Sequence, residues 1–402
     1  MSAAAEDTSA RLATAFSAAG HFFNHLFEPV FFVVALVLPT AFGISYETAL
    51  TLIVGGKVLL GVLAPAAGWL GDRWSATGMM AVYFVGMGAA ALWTGLAGGP
   101  WEMAAALTAL GLFASIYHPV GIAWLIRHSR SRGKALGLNG VFGSLGPAVA
   151  GLGAGAMIEW VGWRAAFVVP AVLMIGVGVA FVLLLRRGVI VETTREAVAD
   201  PPPAKGEAVR AYGVLVLGML FGGLIYQATQ ASLPKVFDER LGGLLGDGAL
   251  GAGAAVMVVY AFSALMQVVA GHLADRYPLR RVYLLLYMIQ APLLGAATAL
   301  AGLPLLLAAM FMVAVNTGLL PAENMLLARY TPAKWRATAY GAKFVLGFGV
   351  ASLGVPLVSL LRSVTGDFTA LFLLLAACAA LVAAAAITLP GDTPREAPAP
   401  AE

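Results

Sequence analysis

Near the start of an otherwise apolar stretch, His21, Asn24, His25 and Glu28 are of the residue types that bind protons, metals or polar solutes. His21, His25 and Glu28 stand at i, i+4 and i+7, which puts all three on one face of a helix. Asn24 lies one turn before Glu28. A carboxylate partly removed from water beside imidazoles can have its proton affinity moved into a working range, so this face is a candidate for proton binding. The same spacing could also present three ligands to a divalent metal, with His118 or water as a fourth. No second cluster of carboxylates or thiols accompanies it, so neither a metal nor any other cofactor is expected.

Polar residues interrupt other apolar runs at Tyr117-His118, at Tyr226, Gln227 and Gln230, at Glu323-Asn324 and at Lys343. Ionisable groups at membrane depth cost about 2.5–3.5 kcal/mol each on insertion scales, so they face a cavity or a partner. Glu28, Glu323, His25 and His118 are the candidates for proton coupling. Asn24, Tyr117, His118, Tyr226, Gln227, Gln230, Asn324 and Lys343 are the candidates for substrate contact. At 1.5 Å per residue, Glu323 lies roughly 9 Å from the helix end near Arg329, and Lys343 roughly 10 Å from the helix start near Arg336. The two charges are therefore level. Either they form a structural ion pair, or protonation of Glu323 frees Lys343 to hold an anionic solute, and the two readings are compatible. Lys57 is read as lying in the outer half of its span, where its long side chain can snorkel.

The elements that must carry these residues follow from composition. Of 402 residues 60% are hydrophobic and 11% charged, with a mean hydropathy of +0.89, whereas soluble domains carry roughly 25% charged residues. The 48 glycines suit transmembrane helices that pack through small residues. The glycine-rich run from Gly143 to Gly155 lacks the G-x-x-x-x-G-K-[ST] pattern of a phosphate loop, so helix packing accounts for it. A single cysteine, Cys378, rules out an intramolecular disulfide and a thiolate metal site.

A spanning helix needs about 20 apolar residues, and twelve such segments are predicted: 14–40, 48–71, 78–98, 101–126, 135–158, 163–186, 211–236, 249–274, 281–302, 303–329, 336–361 and 367–389. The fold class is thus all-α, integral to the membrane, as two pseudo-symmetric six-helix bundles. Residues 1–186 form the first bundle. Residues 187–210, with Pro201-Pro202-Pro203 and mixed charges, form a cytoplasmic linker, and 211–402 form the second bundle with a short cytoplasmic tail. The first apolar stretch is too long for a signal peptide and lacks a small-residue cleavage pattern, so it is expected to remain as the first span. With both termini cytoplasmic, 18 of the 24 lysines and arginines fall on that side and 4 on the other, as the positive-inside rule requires. That placement explains the net charge of +4 without nucleic acid.

The halves are related by a repeat. Gly68-Trp69-Leu70-Gly71-Asp72-Arg73 returns as Gly271-His272-Leu273-Ala274-Asp275-Arg276, 203 residues later. Pro119 and Arg127 match Pro321 and Arg329 at an offset of 202, and Gly137, Asn139 and Gly143 match Gly341, Lys343 and Gly347 at 204. Gly68, Asp72 and Arg73, with Gly271, Asp275 and Arg276, sit where a helix leaves the membrane, and there each acid can latch one conformation by pairing with a base or a helix amino terminus.

These features resemble the major facilitator superfamily across nearly the whole chain. The G-x-L-[GA]-D-R pattern between the second and third helices, and again between the eighth and ninth, is similar to that family's signature. In the second copy Arg280 and Arg281 follow, as in the family, while Trp74 to Gly78 after the first copy lack the second basic cluster. Within the family, Gly111 to Pro119, with Ser115, Tyr117, His118 and Pro119, resembles the fosmidomycin-resistance-like efflux branch. The resemblance implies alternating access with helices one, four, seven and ten around the cavity. It also implies proton-coupled export (antiport) of a small compound, anionic ones included, rather than catalysis.

The alternatives are a proton symporter importing a small organic acid or sugar, a divalent-metal exporter, and a non-transporting membrane sensor. An enzyme is not expected, because no nucleophile and base arrangement is present. The expected partners are the small-molecule substrate, protons and the lipid bilayer. The expected state is a multi-pass monomer in a bacterial inner membrane, with no nucleic acid bound.

Overall fold

The computed structural model describes residues 3–129, 132–190, 205–331 and 336–391, and the regular elements among them are helices. Twelve helical rods follow one another: α1 (Ala3–Val34), α2 (Tyr46–Val62 with Ala64–Arg73), α3 (Ala76–Leu96), α4 (Pro100–His128), α5 (Arg132–Trp160) and α6 (Ala165–Arg186). After them come α7 (Lys205–Arg240), α8 (Gly248–Arg276), α9 (Leu279–Ala296), α10 (Gly302–Tyr330), α11 (Ala339–Thr365) and α12 (Thr369–Ala386). Nine are long and apolar enough to cross a membrane individually, and α2 makes a tenth if its two bent pieces count as one span. The remaining two, α1 and α9, are less apolar for identifiable reasons. His21, Asn24, His25 and Glu28 interrupt the first, and Arg280, Arg281 and Gln290 the second.

The helices start and bend where local chemistry directs. Ser75 caps α3 by accepting from the Gly78 amide at 2.9 Å, and Ser45 caps α2 through the Thr48 amide at 3.1 Å. Each such cap is worth about 1 kcal/mol. The 46° bend of α2 falls at Leu63, just ahead of Pro65, whose ring cannot supply the amide hydrogen a continuous helix needs. Several rods differ in extent from the sequence expectation: α1 spans Ala3–Val34 against 14–40, α7 begins at Lys205 against 211, and α9 ends at Ala296 against 302. Of the expected linker 187–210, residues 191–204 lie outside the described residues, as do residues 392–402 of the expected tail.

In the first set of six helices, α1 packs on α5, and α3 packs on α4 and α6. In the second set, α8 packs on α10, and α9 on α10 and α12. The two sets meet through α5 against α8, α2 against α11, and α1 against α7. Under the six-helix repeat α2 is equivalent to α8 and α5 to α11, so the first two contacts are one contact made twice about a pseudo-two-fold axis.

The α5–α8 contact brings backbones together. A Cβ placed on Gly155 would stand 2.6 Å from the Ala249 carbonyl oxygen, and one on Gly151 would stand 2.5 Å from that of Gly253. Such small-residue contacts replace the hydrophobic drive that lipid does not supply. These positions lie at the ends of α5 and α8 remote from the two hexapeptides, termed the far side below. Gly155→Leu is expected to wedge the far side apart. A single-cysteine reporter on α7, Ser232→Cys, should then react severalfold faster with a membrane-impermeant thiol reagent, and an unchanged rate would count against closure through this contact.

Candidate functional site

The polar residues singled out in the sequence gather in three layers, two beside the seam and one within the second set of helices. The first holds three imidazoles. His21 and His25 project from α1 and His118 from α4, with ring centroids 5.0, 5.5 and 5.2 Å apart. His118 stands in a π-helical turn, Tyr117–Gly121, opened where Pro119 has no amide hydrogen to donate. Such turns are frequent at functional sites. Gly68 of the first hexapeptide lets α2 approach this turn, since a Cβ there would lie 3.2 Å from Pro119 Cβ. A second π-helical turn, Val345–Gly349 in α11, follows directly on Phe344. Phe344 and Phe348 stack on His118 with centroids 5.2 and 5.4 Å away, so the two irregular turns meet across the seam.

Tyr117 has a different place from the one expected. It is fully buried, and its single hydroxyl hydrogen is shared between the Ser17 carbonyl, 2.7 Å away, and the Asn139 side-chain oxygen, 2.8 Å away. Its ring stacks on His21, 5.1 Å away. Tyr117 therefore braces the imidazoles from behind and does not line the cavity.

The second layer corrects the reading of Lys57. Its side chain turns inward from α2, is 3% exposed, and forms an ion pair with Glu28 of α1 and a hydrogen bond to the side-chain oxygen of Gln227 on α7. A snorkelling lysine would keep its ammonium in water. Here the nearby carboxylate outweighs that option, because a buried charge is costly unless paired and hydrogen-bonded. Glu28 and Lys57 come from one set of helices and Gln227 from the other, so the group spans the seam. A small cavity beside it is lined by Asn24, Phe27, Glu28, Lys57, Leu60 and Leu110. Around the cavity, Asn24 Oδ1 and Gln227 Nε2 are buried without a hydrogen-bond partner among the described residues. Tyr226 accepts a hydrogen bond from Gln230 at 3.0 Å on the same face of α7.

The third layer is the level pair expected from helix rise. Lys343 Nζ lies 2.7 Å from Glu323 Oε1 and donates to Asn324 Oδ1 at 2.6 Å, while Tyr283 donates to Glu323 Oε2 at 3.1 Å. All four residues belong to α9, α10 and α11, so this layer lies within the second set of helices.

The hexapeptides sit at helix ends. Asp72 is exposed and lies 3.8 Å from Arg127, a contact worth roughly 0–1 kcal/mol in that setting. Arg73 lies over the Trp69 ring, 5.4 Å from its centroid. In the second copy Gly271, Asp275 and Arg276 close α8.

A group without a place in the sequence reading lies at the far side. Arg362 of α11 reaches Glu239 of α7 with two guanidinium nitrogens, at 2.5 and 3.1 Å, and Glu47 of α2 at 3.2 Å. Its guanidinium also lies over the rings of Phe368 and Tyr46. The only sequence signal was a basic residue on the side where few are expected.

Helices arranged as two related sets, meeting around buried charges, define a multi-pass membrane transporter, not an enzyme. The chain belongs to the major facilitator superfamily, whose sequence profile matches residues 14–259 and 243–402. It is similar to a bacterial homolog of the human lysosomal transporter Spinster, solved in an inward-facing, unoccupied conformation (TM-score 0.66, 15% identity, 97% of this chain and 95% of that one). It is also similar to a D-xylose–proton symporter (TM-score 0.73, 14% identity, 94% of this chain and 97% of that one). At such identities both show the fold. A puromycin resistance protein of Streptomyces alboniger is 34% identical over 120 residues, which is 29% of this chain and 23% of that protein's length.

Proposed function

We propose that the chain is a proton-coupled exporter of small organic compounds, anionic ones included, working by alternating access. The observation that carries the reading is the Glu28–Lys57–Gln227 group. A carboxylate and an ammonium sit at the seam with a hydrogen bond across it, so a proton on Glu28 removes the charge that holds Lys57 and loosens the tie between halves. Glu323 offers a second protonation site, where the released Lys343 would hold an acidic substrate group. The local match to a puromycin resistance protein supports export over import. In the cycle, protons arriving from the far side neutralise Glu28 or Glu323 and release substrate outward, and loss of the protons to the cytoplasm resets the site.

The test uses proteoliposomes and compounds selected by thermal stabilisation, starting with puromycin and fosmidomycin. Efflux should accelerate under an inwardly directed proton gradient. Glu28→Gln and Glu323→Gln should each keep solute exchange while losing the response to the gradient. Flux indifferent to the gradient would refute coupling, and full coupling in both variants would remove the site assignment. Accumulation in the opposite direction would establish symport.

A further inference from the structure

The three imidazoles have a geometry that proton coupling at Glu28 does not require. One ring nitrogen each from His21, His25 and His118 lies within 4.8 Å of the others. A tetrahedral ion bound at 2.0–2.1 Å holds its nitrogens roughly 3.4 Å apart, so closure needs at most about 1.4 Å per pair. Side-chain rotation on α1 and in the π-helical turn of α4 can supply that movement.

Two further observations point to a ligand. His118 Nε2 is buried with no hydrogen-bond partner among the described residues. His21 Nδ1 lies 2.7 Å from the Asn139 backbone carbonyl. A carbonyl only accepts, so Nδ1 carries the proton and Nε2 keeps its lone pair. This is the arrangement in which metal-binding histidines are oriented by an outer hydrogen bond. Asn139 is itself held, because its side-chain oxygen accepts from Tyr117 and Ser17.

From these contacts, the geometry points to a site for one divalent ion of the zinc, cobalt or nickel class, held by His21, His25 and His118. Phe344 and Phe348 stack on the His118 ring and leave its Nε2 free of hydrogen bonds among the described residues. Three neutral nitrogen donors suit these borderline ions and not calcium or magnesium, which take oxygen ligands. Glu28, the third ligand suggested by helical spacing alone, is occupied by Lys57. His118, from a different helix, takes its place. The ion would join α1 to α4 within one half, beside the seam.

The site is tested on full-length, tag-free protein in detergent, stripped with chelator and titrated with cobalt(II). One equivalent should bind with the visible absorption of a nitrogen-ligated, low-coordinate cobalt centre, and zinc should displace it. His118→Ala and His25→Asn should each weaken binding by at least tenfold, while His128→Ala, at the end of α4, should leave it unchanged. Thermal unfolding confirms that each variant is folded, and either ligand variant suffices if the other is not. Absence of the absorption band in the parent protein, or equal binding by parent and ligand variants, overturns the site. Neither result bears on coupling at Glu28, which is read from flux.

Discussion

Lys57→Ala is expected to abolish gradient-driven transport and to cost about 3–5 kcal/mol of stability, the usual penalty for stranding one partner of a buried ion pair. The Glu28 side chain is 16% exposed, so water compensates little for the lost ammonium. Gln227 loses the donor to its side-chain oxygen in the same step. Removing both charges, as in Lys57→Met with Glu28→Met, should restore most of the stability, since a matched apolar replacement of such a pair is often neutral or favourable. It should not restore coupling, because the tie between α1, α2 and α7 then has no group to take up a proton, and Glu323 lies within the second set of helices. Thermal unfolding and proteoliposome flux separate the two effects. A stable Lys57→Ala protein would show that the pair carries little energy. A double variant that still responds to the gradient would show that the pair has no part in coupling.

Arg362→Ala should have the second largest effect, on the balance between conformations. Arg362 ties α11 to α2 and α7 at the far side, using a forked contact with Glu239 and a single one with Glu47. Bidentate guanidinium–carboxylate contacts are among the stronger polar ones. The three side chains are between 13% and 32% exposed, so solvent screens part of the interaction. Removal should shift the balance by about 1–2 kcal/mol, or roughly 5–30-fold, towards a far-side-open state. Spin labels at Trp160→Cys and Leu244→Cys, near the adjoining ends of α5 and α8, should report a growing long-distance population. Arg362→Lys should recover only part of the closed state, since lysine lacks the fork. An unchanged distance distribution in Arg362→Ala would deny the latch.

The parts of this molecule legible in the sequence are those set by one coordinate, depth in the membrane. Apolar runs placed the spans, and the basic residues between them gave an expected sidedness. Counting residues from Arg329 and Arg336 put Glu323 and Lys343 at one level, where they pair. The hexapeptide repeat exposed the two related halves, which a two-part family match accompanies. Local interruptions were less legible. Pro119 was visible as a repeat position, but not that its missing amide hydrogen opens a π-helical turn there, nor that a second such turn at Val345–Gly349 lies against it.

What the sequence determined by itself was therefore the number and order of the helices and the relative level of residues along them, because hydropathy and a rise of 1.5 Å per residue act along each helix separately. What only the tertiary structure decided was azimuth: which way each helix turns its polar face, and which neighbour it meets. Helical spacing grouped His21, His25 and Glu28, but packing rotated α2 to bring Lys57 to Glu28, and α4 to bring His118 to the two histidines. The same rotation set Arg362 between two carboxylates from distant parts of the chain. A buried charge must find its partner in three dimensions, and its depth along one helix does not say from which side that partner will come.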